Sequence, residues 1–564
     1  MSSNEIARNI ALLSLPRTSF DGLSYCSASS EDFGAFLKDL PHTNPAELCS
    51  KLYALLPELA GLNVPPGRKM ALLDLARPEA FACVQRLTRN LTINQTTAKM
   101  LSLSIAMLRH LAEGYKSVLV KTLESPAAPP HLAVSAGYSA LAVLSQILME
   151  CWESYVPPPA NTWLEIHAIY NIARFKGLDT LPYQESRVTS GARATIKSAY
   201  VVPLMIASAD PGRYTPQDLR RIETFLLGNG DLVDFAQNHL EGIFVVDTQS
   251  DKGPQYSFKV DGTTNRHFRL RTFRLVKHIE ERLASGTLSG LNDRLARELC
   301  KYWSREIKRE DEHLTDSTRV HIVFGLSHIH RHLTQTKNLE TYLKNLSLSK
   351  PKAHLSLTLM EDKPADHRDV FLGRQGKPSP LAPATPGQPL EDEKSTLRIY
   401  EGIRSNISAG GARVEFDAPG ENLTAGELVY IQPLEGSQPQ LGLVRWTRVT
   451  SALKRMVGVQ FIADRPEPCA VSQLAPGTPQ ASVGGAEFPF HDSEHPSAGG
   501  EQYYPGMLLS LDADAHLVVT ALPFRPYSSV MVHSAAGKKV TRLLSCRDAT
   551  FHVSIFKLDS TSLK

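Results

Sequence analysis

Apolar residues recur at spacings of three and four through much of the first 235 residues of the chain. This period places their side chains on one face of an α-helix, and prolines separate several such segments. We therefore predict stacked antiparallel helices over about residues 44–235, preceded by an irregular or strand-bearing lead-in over residues 1–40. The recurring residues are Leu48, Leu52, Leu55 and Leu56, then Leu101, Ile105, Leu108 and Leu111, then Trp163, Ile166, Ile169, Tyr170 and Ala173.

A long uncharged stretch occupies residues 131–149. It includes Ser135, Ser139 and Gln146, whose polar groups would lack hydrogen-bond partners in lipid. The pattern favours a buried helix over a membrane span, and we predict no transmembrane segment.

Shorter apolar segments interrupt the helical pattern. Residues 243–246 and 256–260, joined by a polar loop with a glycine, predict a β-hairpin inserted near 243–260. Residues 320–325 are either a short strand or the lead into a final helix that ends near Leu346. Residues 1–346 are therefore predicted to form a mainly helical domain.

Two stretches rich in proline follow in the second half of the chain. Residues 347–394 and 466–500 have a composition typical of extended linkers. Residues 501–564 contain a series of short strand patterns separated by turns, and we predict a C-terminal β segment. These strands form either a small β domain or an addition to the preceding one.

Residues 404–416 have the pattern strand, tight turn, strand. Asn406 and Ser408 carry short polar side chains that can bond the backbone or face a ligand. Gly410 and Gly411 allow positive φ and leave no Cβ in the way. Alternating apolar and polar residues then indicate a half-buried strand, so this surface suits close approach by a flat polar ligand.

Asn406, Ser408 and Gly411 fill a motif of Asp or Asn, x, Ser, x, x, Gly. In this motif the chain resembles the PilZ domain, a bacterial module that binds cyclic di-GMP. The resemblance spans about residues 395–465, and it implies a small β-barrel with a nucleotide site. It continues through apolar strands at residues 428–431, 441–446 and 457–461.

The whole chain is predicted to be a multidomain α+β protein. Its 564 residues exceed what one core accommodates, and about three or four domains are expected. The large N-terminal domain is mainly α-helical, a PilZ-like small β-barrel follows, and an additional β segment ends the chain.

The resemblance also implies a first motif, Arg-x-x-x-Arg, before the first barrel strand. Residues 376–394 contain no arginine, so substitutes are needed. We predict Arg404, Arg398 and Arg445 as the substitutes, because a planar guanidinium donates two hydrogen bonds to a phosphate or a guanine edge. Arg368 and Arg374 are the next candidates after these three.

Composition and charge narrow the class of function. A net charge of +3 does not imply nucleic acid as a partner. Seven scattered cysteines without a Cys-x-x-Cys pair, and an N-terminus without a secretory signal, predict a cytoplasmic protein with reduced thiols.

Motifs of common catalytic sites are missing from the sequence, including the phosphate-binding loop, the nucleophile elbow and His-Glu-x-x-His. We predict that the protein is not an enzyme and has no cofactor. His328 and His332 lie one helical turn apart, but other metal ligands are not evident, so no metal site is predicted.

Two functions remain open. The first is a signalling effector that binds cyclic di-GMP through the barrel and relays it to a protein partner through the helical domain. In the manner of the family, arginines would bind phosphate and guanine, Asn406 and Ser408 would bond the base, and Gly411 would permit the turn. The second is a ligand-independent scaffold with a degenerate barrel.

Overall fold

The computed structural model contains two compact units, each with its own apolar core. The first unit comprises Met1–Glu312, Ala418–Ala425 and Trp446–Met456, and the second comprises His313–Asp417, Gly426–Arg445 and Val457–Lys564. The described residues are 3–88, 94–125, 128–183, 194–236, 242–260, 266–306, 314–347, 397–417, 423–435, 438–450, 454–474, 502–511 and 514–559.

Helices dominate the first unit, which confirms the helical N-terminal region predicted from the apolar pattern. Residues of that pattern, such as Leu52, Leu108 and Ile166, are fully buried in one large cluster. The helices are α1 (Ser3–Ala11), α2 (Ser30–Lys38), α3 (Pro45–Gly61), α4 (Pro66–Thr88), α5 (Gln95–Glu124), α6 (Pro130–Glu153), α7 (Thr162–Phe175), α8 (Ile196–Ser208), α9 (Pro216–Asn229), α10 (Phe273–Ala284) and α11 (Asp293–Ser304).

The lead-in over residues 1–40 differs from the prediction, because it contains α1 and α2. Ser29 caps α2 by accepting a hydrogen bond from the backbone N–H of Asp32. Phe33 and Leu37 bury the inner face of this short helix. Each helix has only 9 residues, too few for the apolar period to repeat visibly in the sequence.

Residues 131–149 fall within α6. Among the described residues, α6 is the helix long and apolar enough to cross a membrane by length and composition. However, 72% of its most apolar window is buried inside the protein, as in the core helix of a folded domain.

A four-stranded sheet follows α9. Its order is β1-β4-β2-β3, and its strands are β1 (Asp234–Ala236), β2 (Phe244–Asp247), β3 (Gln255–Tyr256) and β4 (His267–Arg271). The expected hairpin near 243–260 corresponds to β2 and β3, where Phe244 lies opposite Tyr256. Strands β1 and β4 were not predicted, since strands this short show little alternation of apolar and polar residues.

Six strands of the second unit close into a first barrel, in the order β10-β7-β6-β5-β8-β9. This barrel confirms the β-barrel that the resemblance implied. Its strands are β5 (Leu314–Phe324), β6 (Tyr400–Ser408), β7 (Gly411–Asp417), β8 (Leu428–Pro433), β9 (Gln440–Val449) and β10 (Lys454–Ala463).

The boundaries predicted around this barrel need correction. Its first strand is β5, which lies inside residues 1–346, and it pairs with β6 on one side and β8 on the other. Two helices, α12 (Leu326–Thr334) and α13 (Leu339–Ser347), stand between β5 and β6 in the chain. This insertion separated β5 from the other barrel strands, so a start at residue 395 was wrong. Nearly all of the predicted linker over 347–394 lies outside the described residues.

The C-terminal strands form a second closed barrel and are not an addition to the first one. The strand order of the second barrel is β11-β12-β13-β16-β15-β14. The predicted linker over 466–500 begins with one of its strands, β11, and residues 475–500 lie outside the described residues. The strands are β11 (Glu467–Gln473), β12 (Tyr503–Leu511), β13 (Asp514–Thr520), β14 (Ser529–Ser534), β15 (Gly537–Ala549) and β16 (Val553–Leu558).

The two barrels share an apolar core within the second unit. Leu443 of the first barrel, Val518 of the second and Ile329 of α12 belong to the same buried cluster. A hydroxyl contact adds to it, since Thr550 Oγ1 donates a hydrogen bond to the Gly426 carbonyl oxygen at 2.8 Å. Helix α12, inserted after β5, therefore helps to join the barrels.

An ion pair lies in the helical core of the first unit. Lys116 Nζ on α5 and Glu165 Oε2 on α7 are 2.5 Å apart, and their side chains are 2% and 10% exposed. The other oxygen of Glu165 accepts a hydrogen bond from the Ser14 backbone N–H at 3.0 Å. This pair ties α5, α7 and the segment after α1 together.

Removing the carboxylate should destabilise the first unit strongly. We expect Glu165→Ala to lower the free energy of unfolding by about 3–5 kcal/mol, because Lys116 would remain buried without a partner. Urea denaturation followed by tryptophan fluorescence measures this change. The matched control is Glu281→Ala, which breaks an exposed pair with Lys277 and should cost less than about 1 kcal/mol. Equal losses of unfolding free energy in both variants would show that the buried pair of Lys116 and Glu165 contributes no more than an exposed one.

Candidate functional site

The hairpin of β6 and β7 carries the residues first singled out in the sequence. Ser408 pairs with Gly411 across a two-residue turn. The Ser408 hydroxyl donates a hydrogen bond to the Gly411 carbonyl oxygen at 3.3 Å, so it helps to close the turn. Farther from the turn, Asn406 lies directly opposite Arg413.

Gly411 is required for a close approach between strands. A Cβ at this position would lie 2.2 Å from the Val459 carbonyl oxygen of the neighbouring strand β10. The φ angle of Gly411 is outside the left-handed region, so the prediction of positive φ at Gly411 is wrong. The glycine of the motif therefore serves barrel closure.

Arg404 does not occupy a surface position in the structure. Its side chain is 7% exposed, and its Nε donates a hydrogen bond to the Asp316 carboxylate on β5. The register shifts on both strands at this point, between Thr315 and Thr318 on β5 and between Arg404 and Asn406 on β6. These β-bulges accommodate the ion pair. The Arg404 guanidinium therefore has a structural role between two strands of the barrel.

The environment of Asp316 favours its charged form. Partial burial raises the pKa of this carboxyl, but hydrogen bonds from Thr318 and from Arg404 outweigh that effect and lower the pKa to about 2. The Asp316 carboxylate also accepts a hydrogen bond from the Thr318 backbone N–H at 3.1 Å. Asp316 is therefore a fixed anion at neutral pH.

Asn406 and Arg413 lie side by side on the outer face of the barrel. The buried residues Ala412 and Val414 alternate with Arg413 on β7, so Arg413 points away from the core. Directly opposite residues of an antiparallel pair have Cβ atoms about 4.5–5.5 Å apart. Arg413 Nε donates a hydrogen bond to Ser405 Oγ at 2.7 Å, which orients the guanidinium beside Asn406.

Arg413 was not among the predicted ligand residues. The two-residue turn, which the sequence indicates, fixes its place opposite Asn406, so the register of the hairpin was the signal. Half-buried Asn406, Ser408 and Arg413 together present amide, hydroxyl and guanidinium groups on one hairpin.

The other predicted arginines do not belong to the hairpin of β6 and β7. Arg445 on β9 donates to Gln460 Oε1 at 2.6 Å and to Asp548 Oδ2 of the second barrel at 2.6 Å. This guanidinium joins the two barrels. Arg398 is exposed in the segment before β6, while Arg368 and Arg374 lie outside the described residues.

The corrected strand order reveals an arginine motif that was missed. The first barrel strand is β5, and the segment before it reads Arg305-Glu306-Ile307-Lys308-Arg309. This is Arg-x-x-x-Arg, at the place in chain order where the resemblance implies it. Arg305 is exposed at the end of α11, and Arg309 lies outside the described residues. The motif was expected before β6, because β6 was taken as the first barrel strand.

The histidines near α12 have structural contacts. His328 Nδ1 lies 3.2 Å from the Phe324 carbonyl oxygen, and the buried His330 ring packs edge-on against Tyr342 with 4.8 Å between centroids. Burial lowers the pKa of His330 to about 4. Within the described part of the chain, no group of three or more His, Cys, Asp or Glu residues could hold a metal ion.

A closed six-stranded barrel with the Asn-x-Ser-x-x-Gly hairpin defines the class of this protein. Residues 243–468 match the family model described as the middle PilZ domain of the cyclic-di-GMP receptor FimW. Residues 243–468 are therefore identified as containing a PilZ domain. The match begins well before residue 395, in agreement with a barrel that includes β5.

The helical region also has a match. Residues 31–238 match the model described as the N-terminal domain of the cyclic-di-GMP receptor FimW. The chain is similar along its length to the cyclic-di-GMP receptor FimW of Pseudomonas aeruginosa (strain PAO1), with 25% identity over 579 residues, covering 95% of this chain and 91% of the relative.

The ion pair of Asp316 and Arg404 predicts an acid-sensitive barrel. The folded pKa of Asp316, about 2, is below the value of about 3.9 in an unfolded chain. Its contribution to stability is therefore present above about pH 4 and is lost as the pH falls towards 2. We expect wild type to lose stability over this window more steeply than Asp316→Asn, as measured by urea midpoints from pH 2 to 6. Parallel pH curves for the two proteins would show that the pair does not contribute.

The close approach at Gly411 predicts a cost for any side chain there. We expect Gly411→Ala to lower the stability of the second unit by about 1–3 kcal/mol, because Val459 must move. Thermal unfolding measures the loss. Gly67→Ala on α4, where an added Cβ meets nothing within 4 Å, is the control and should be neutral or slightly stabilising. A neutral Gly411→Ala would argue against barrel closure as the role of this glycine.

Proposed function

We propose that this protein is a cytoplasmic, non-enzymatic effector that binds cyclic di-GMP through its first barrel. One observation carries the proposal: Arg305-x-x-x-Arg309 directly precedes the first barrel strand in the chain, and Asn406 and Ser408 lie on the strand paired with it. Both motifs of the PilZ resemblance are then present in this protein. Similarity to a protein named as a cyclic-di-GMP receptor supports the proposal.

The chemistry of the hairpin suits a guanine nucleotide. The Asn406 amide can donate and accept hydrogen bonds, as the edge of a guanine base requires. The neighbouring Arg413 guanidinium is already oriented by Ser405 and offers donors for a phosphate or for guanine O6 and N7. Arg305 and Arg309 add two cations for the phosphates of the ligand.

Arg404 and Arg445 have structural roles under this proposal. Arg404 is buried against Asp316, and Arg445 bonds Gln460 and Asp548. Recruiting either one to a ligand would first break an ion pair inside the second unit. We therefore propose Arg305, Arg309 and Arg413 as the ligand-binding arginines in their place.

The helical domain would relay binding to a protein partner. An extensive helical surface without catalytic motifs suits protein contact, and the match of residues 31–238 to a receptor's N-terminal domain supports a common arrangement. The ligand-independent scaffold was favoured by the missing arginine motif. Arg305-x-x-x-Arg309 removes that reason.

Calorimetric titration of the full chain with cyclic di-GMP tests the proposal, with GTP as the ligand control. We expect saturable binding to wild type and a loss of about 1–3 kcal/mol in Asn406→Ala, the amount typical of a lost hydrogen bond. Arg305→Ala and Arg309→Ala should weaken binding at least as much, because a charged donor is lost.

The control variant is Arg525→Ala, which removes an exposed arginine of the second barrel and should bind as wild type does. Absence of heat and of a thermal shift at high ligand concentration would reject the receptor function and favour the scaffold. Wild-type affinity in Asn406→Ala would remove Asn406 from the site.

A further inference from the structure

The loop between β13 and β14 of the second barrel carries two highly exposed apolar side chains. Leu522 is 62% exposed and Tyr527 is 66% exposed. Between them, Phe524 is buried and packs edge-on against Tyr504, with 5.2 Å between the ring centroids. This buried ring anchors the loop in the barrel core, so the side chains on either side of it are held at the surface.

Tyr527 lies at the tip of a tight turn. The Ser528 backbone N–H donates a hydrogen bond to the Arg525 carbonyl oxygen at 3.3 Å, which closes the turn around Pro526 and Tyr527. The φ angle of Tyr527 is 67°, in the left-handed region that favours glycine. A bulky side chain in this conformation costs free energy, and an exposed ring recovers little of it by burial. Packing within the barrel therefore does not explain a tyrosine at this position.

The exposed ring lies beside basic residues. The Arg542 guanidinium is 5.8 Å from the Tyr527 ring centroid, and Arg542 Nε donates a hydrogen bond to the Tyr527 carbonyl oxygen at 3.0 Å. Lys538, Val540 and Arg542 are exposed alternate residues of β15, so they share its outer face. Arg525 is exposed in the turn itself. Loop and strand together form one surface, called here the basic loop face, which comprises Leu522, Arg525, Tyr527, Lys538, Val540 and Arg542.

The basic loop face carries an excess of positive charge. Arg525, Lys538 and Arg542 form no ion pair with a carboxylate in the described part of the chain. Two carboxylates of the same barrel pair with other cations. Asp559, just after β16, adjoins Arg542 because its backbone N–H donates to the Arg542 carbonyl oxygen at 3.0 Å, and even with its charge a positive excess remains. The apolar side chains of this face therefore lie in a positive field.

This combination of side chains suits the surface of an anionic bilayer. Tyrosine favours the lipid–water interface, and basic side chains are attracted to anionic head groups. Single-stranded nucleic acid is a weaker match, because it calls for rings on which bases can stack, and Leu522 and Val540 are aliphatic. In a bilayer, aliphatic side chains enter the boundary between head groups and acyl chains.

We propose that the basic loop face binds the surface of an anionic phospholipid bilayer. Leu522 and Tyr527 enter the lipid–water interface, and the neighbouring cations contact the lipid phosphates. The inference goes beyond cyclic di-GMP binding by the first barrel and gives the second barrel a role of its own.

Co-sedimentation of the full chain with lipid vesicles tests the proposal. We expect binding to vesicles that contain phosphatidylglycerol, weakening as salt concentration rises, and little binding to vesicles of phosphatidylcholine alone. Arg525→Glu combined with Lys538→Glu should weaken binding by about 25-fold or more, since each cation lost accounts for about 5-fold. Leu522→Ser combined with Tyr527→Gly should weaken it about 10-fold, because apolar area no longer leaves water. Glycine suits the left-handed φ at residue 527, so this variant should fold.

A tryptophan at the tip of the turn reports insertion directly. On phosphatidylglycerol vesicles, the fluorescence added by Tyr527→Trp should shift to shorter wavelength and become protected from acrylamide, because the indole enters the interface.

Matched controls carry the same kinds of change elsewhere in the second unit. Lys337→Glu combined with Arg465→Glu reverses two exposed cations, and Leu434→Ser replaces a leucine that is 42% exposed. Both controls should bind vesicles much as wild type does. Melting temperatures verify that each variant is folded.

The outcomes decide the proposal without any nucleotide, so they are independent of the receptor function. Loss of vesicle binding in both variants of the face, with the controls unaffected and a fluorescence shift in Tyr527→Trp, supports the bilayer surface. No binding to phosphatidylglycerol vesicles, unchanged binding in either variant of the face, an equal loss in the controls, or no fluorescence shift overturns it. Binding to a single-stranded oligothymidylate in place of vesicles, abolished by the charge reversal, would overturn it in favour of a nucleic-acid surface.

Discussion

The ion pair of Arg404 with Asp316 is the constraint on which the geometry of the barrel site depends. A buried guanidinium cannot leave its carboxylate without a large cost in free energy, so the pair fixes β6 against β5. The bulges around it set which residues come next on the two strands. Beyond these bulges, the register set by the two-residue turn places Asn406 opposite Arg413 on the outer face of the barrel.

Local signals in the sequence were sufficient for the hairpin but not for the barrel around it. The turn between Ser408 and Gly411 follows from neighbouring residues, and its two-residue length determines the pairing of Asn406. The pairing of β5 with β6 is different, because two helices and a long segment intervene in the chain. No local period encodes such a contact, and the arginine motif was missed for this reason.

The roles of individual charged residues were equally hidden. Sequence alone shows that Arg404 and Arg445 are arginines near a motif, whereas their function depends on Asp316 and Asp548. Asp548 belongs to another barrel and lies more than a hundred positions along the chain. The helical region was easier to predict, since its burial pattern repeats every three or four residues and needs no distant partner.

Under the proposed function, the position of Arg305-x-x-x-Arg309 determines how nucleotide binding would be transmitted to the helical unit. The motif lies between the end of α11 and the start of β5, which is one of the covalent connections between the two units. A nucleotide bound by this motif, as proposed, would act directly on the chain that joins the two units. Binding can shift the helical unit only to the extent that the ligand prefers one of its states. Because the proposed ligand-binding segment continues from α11, such a preference would reach the helical unit without a long chain of coupled residues.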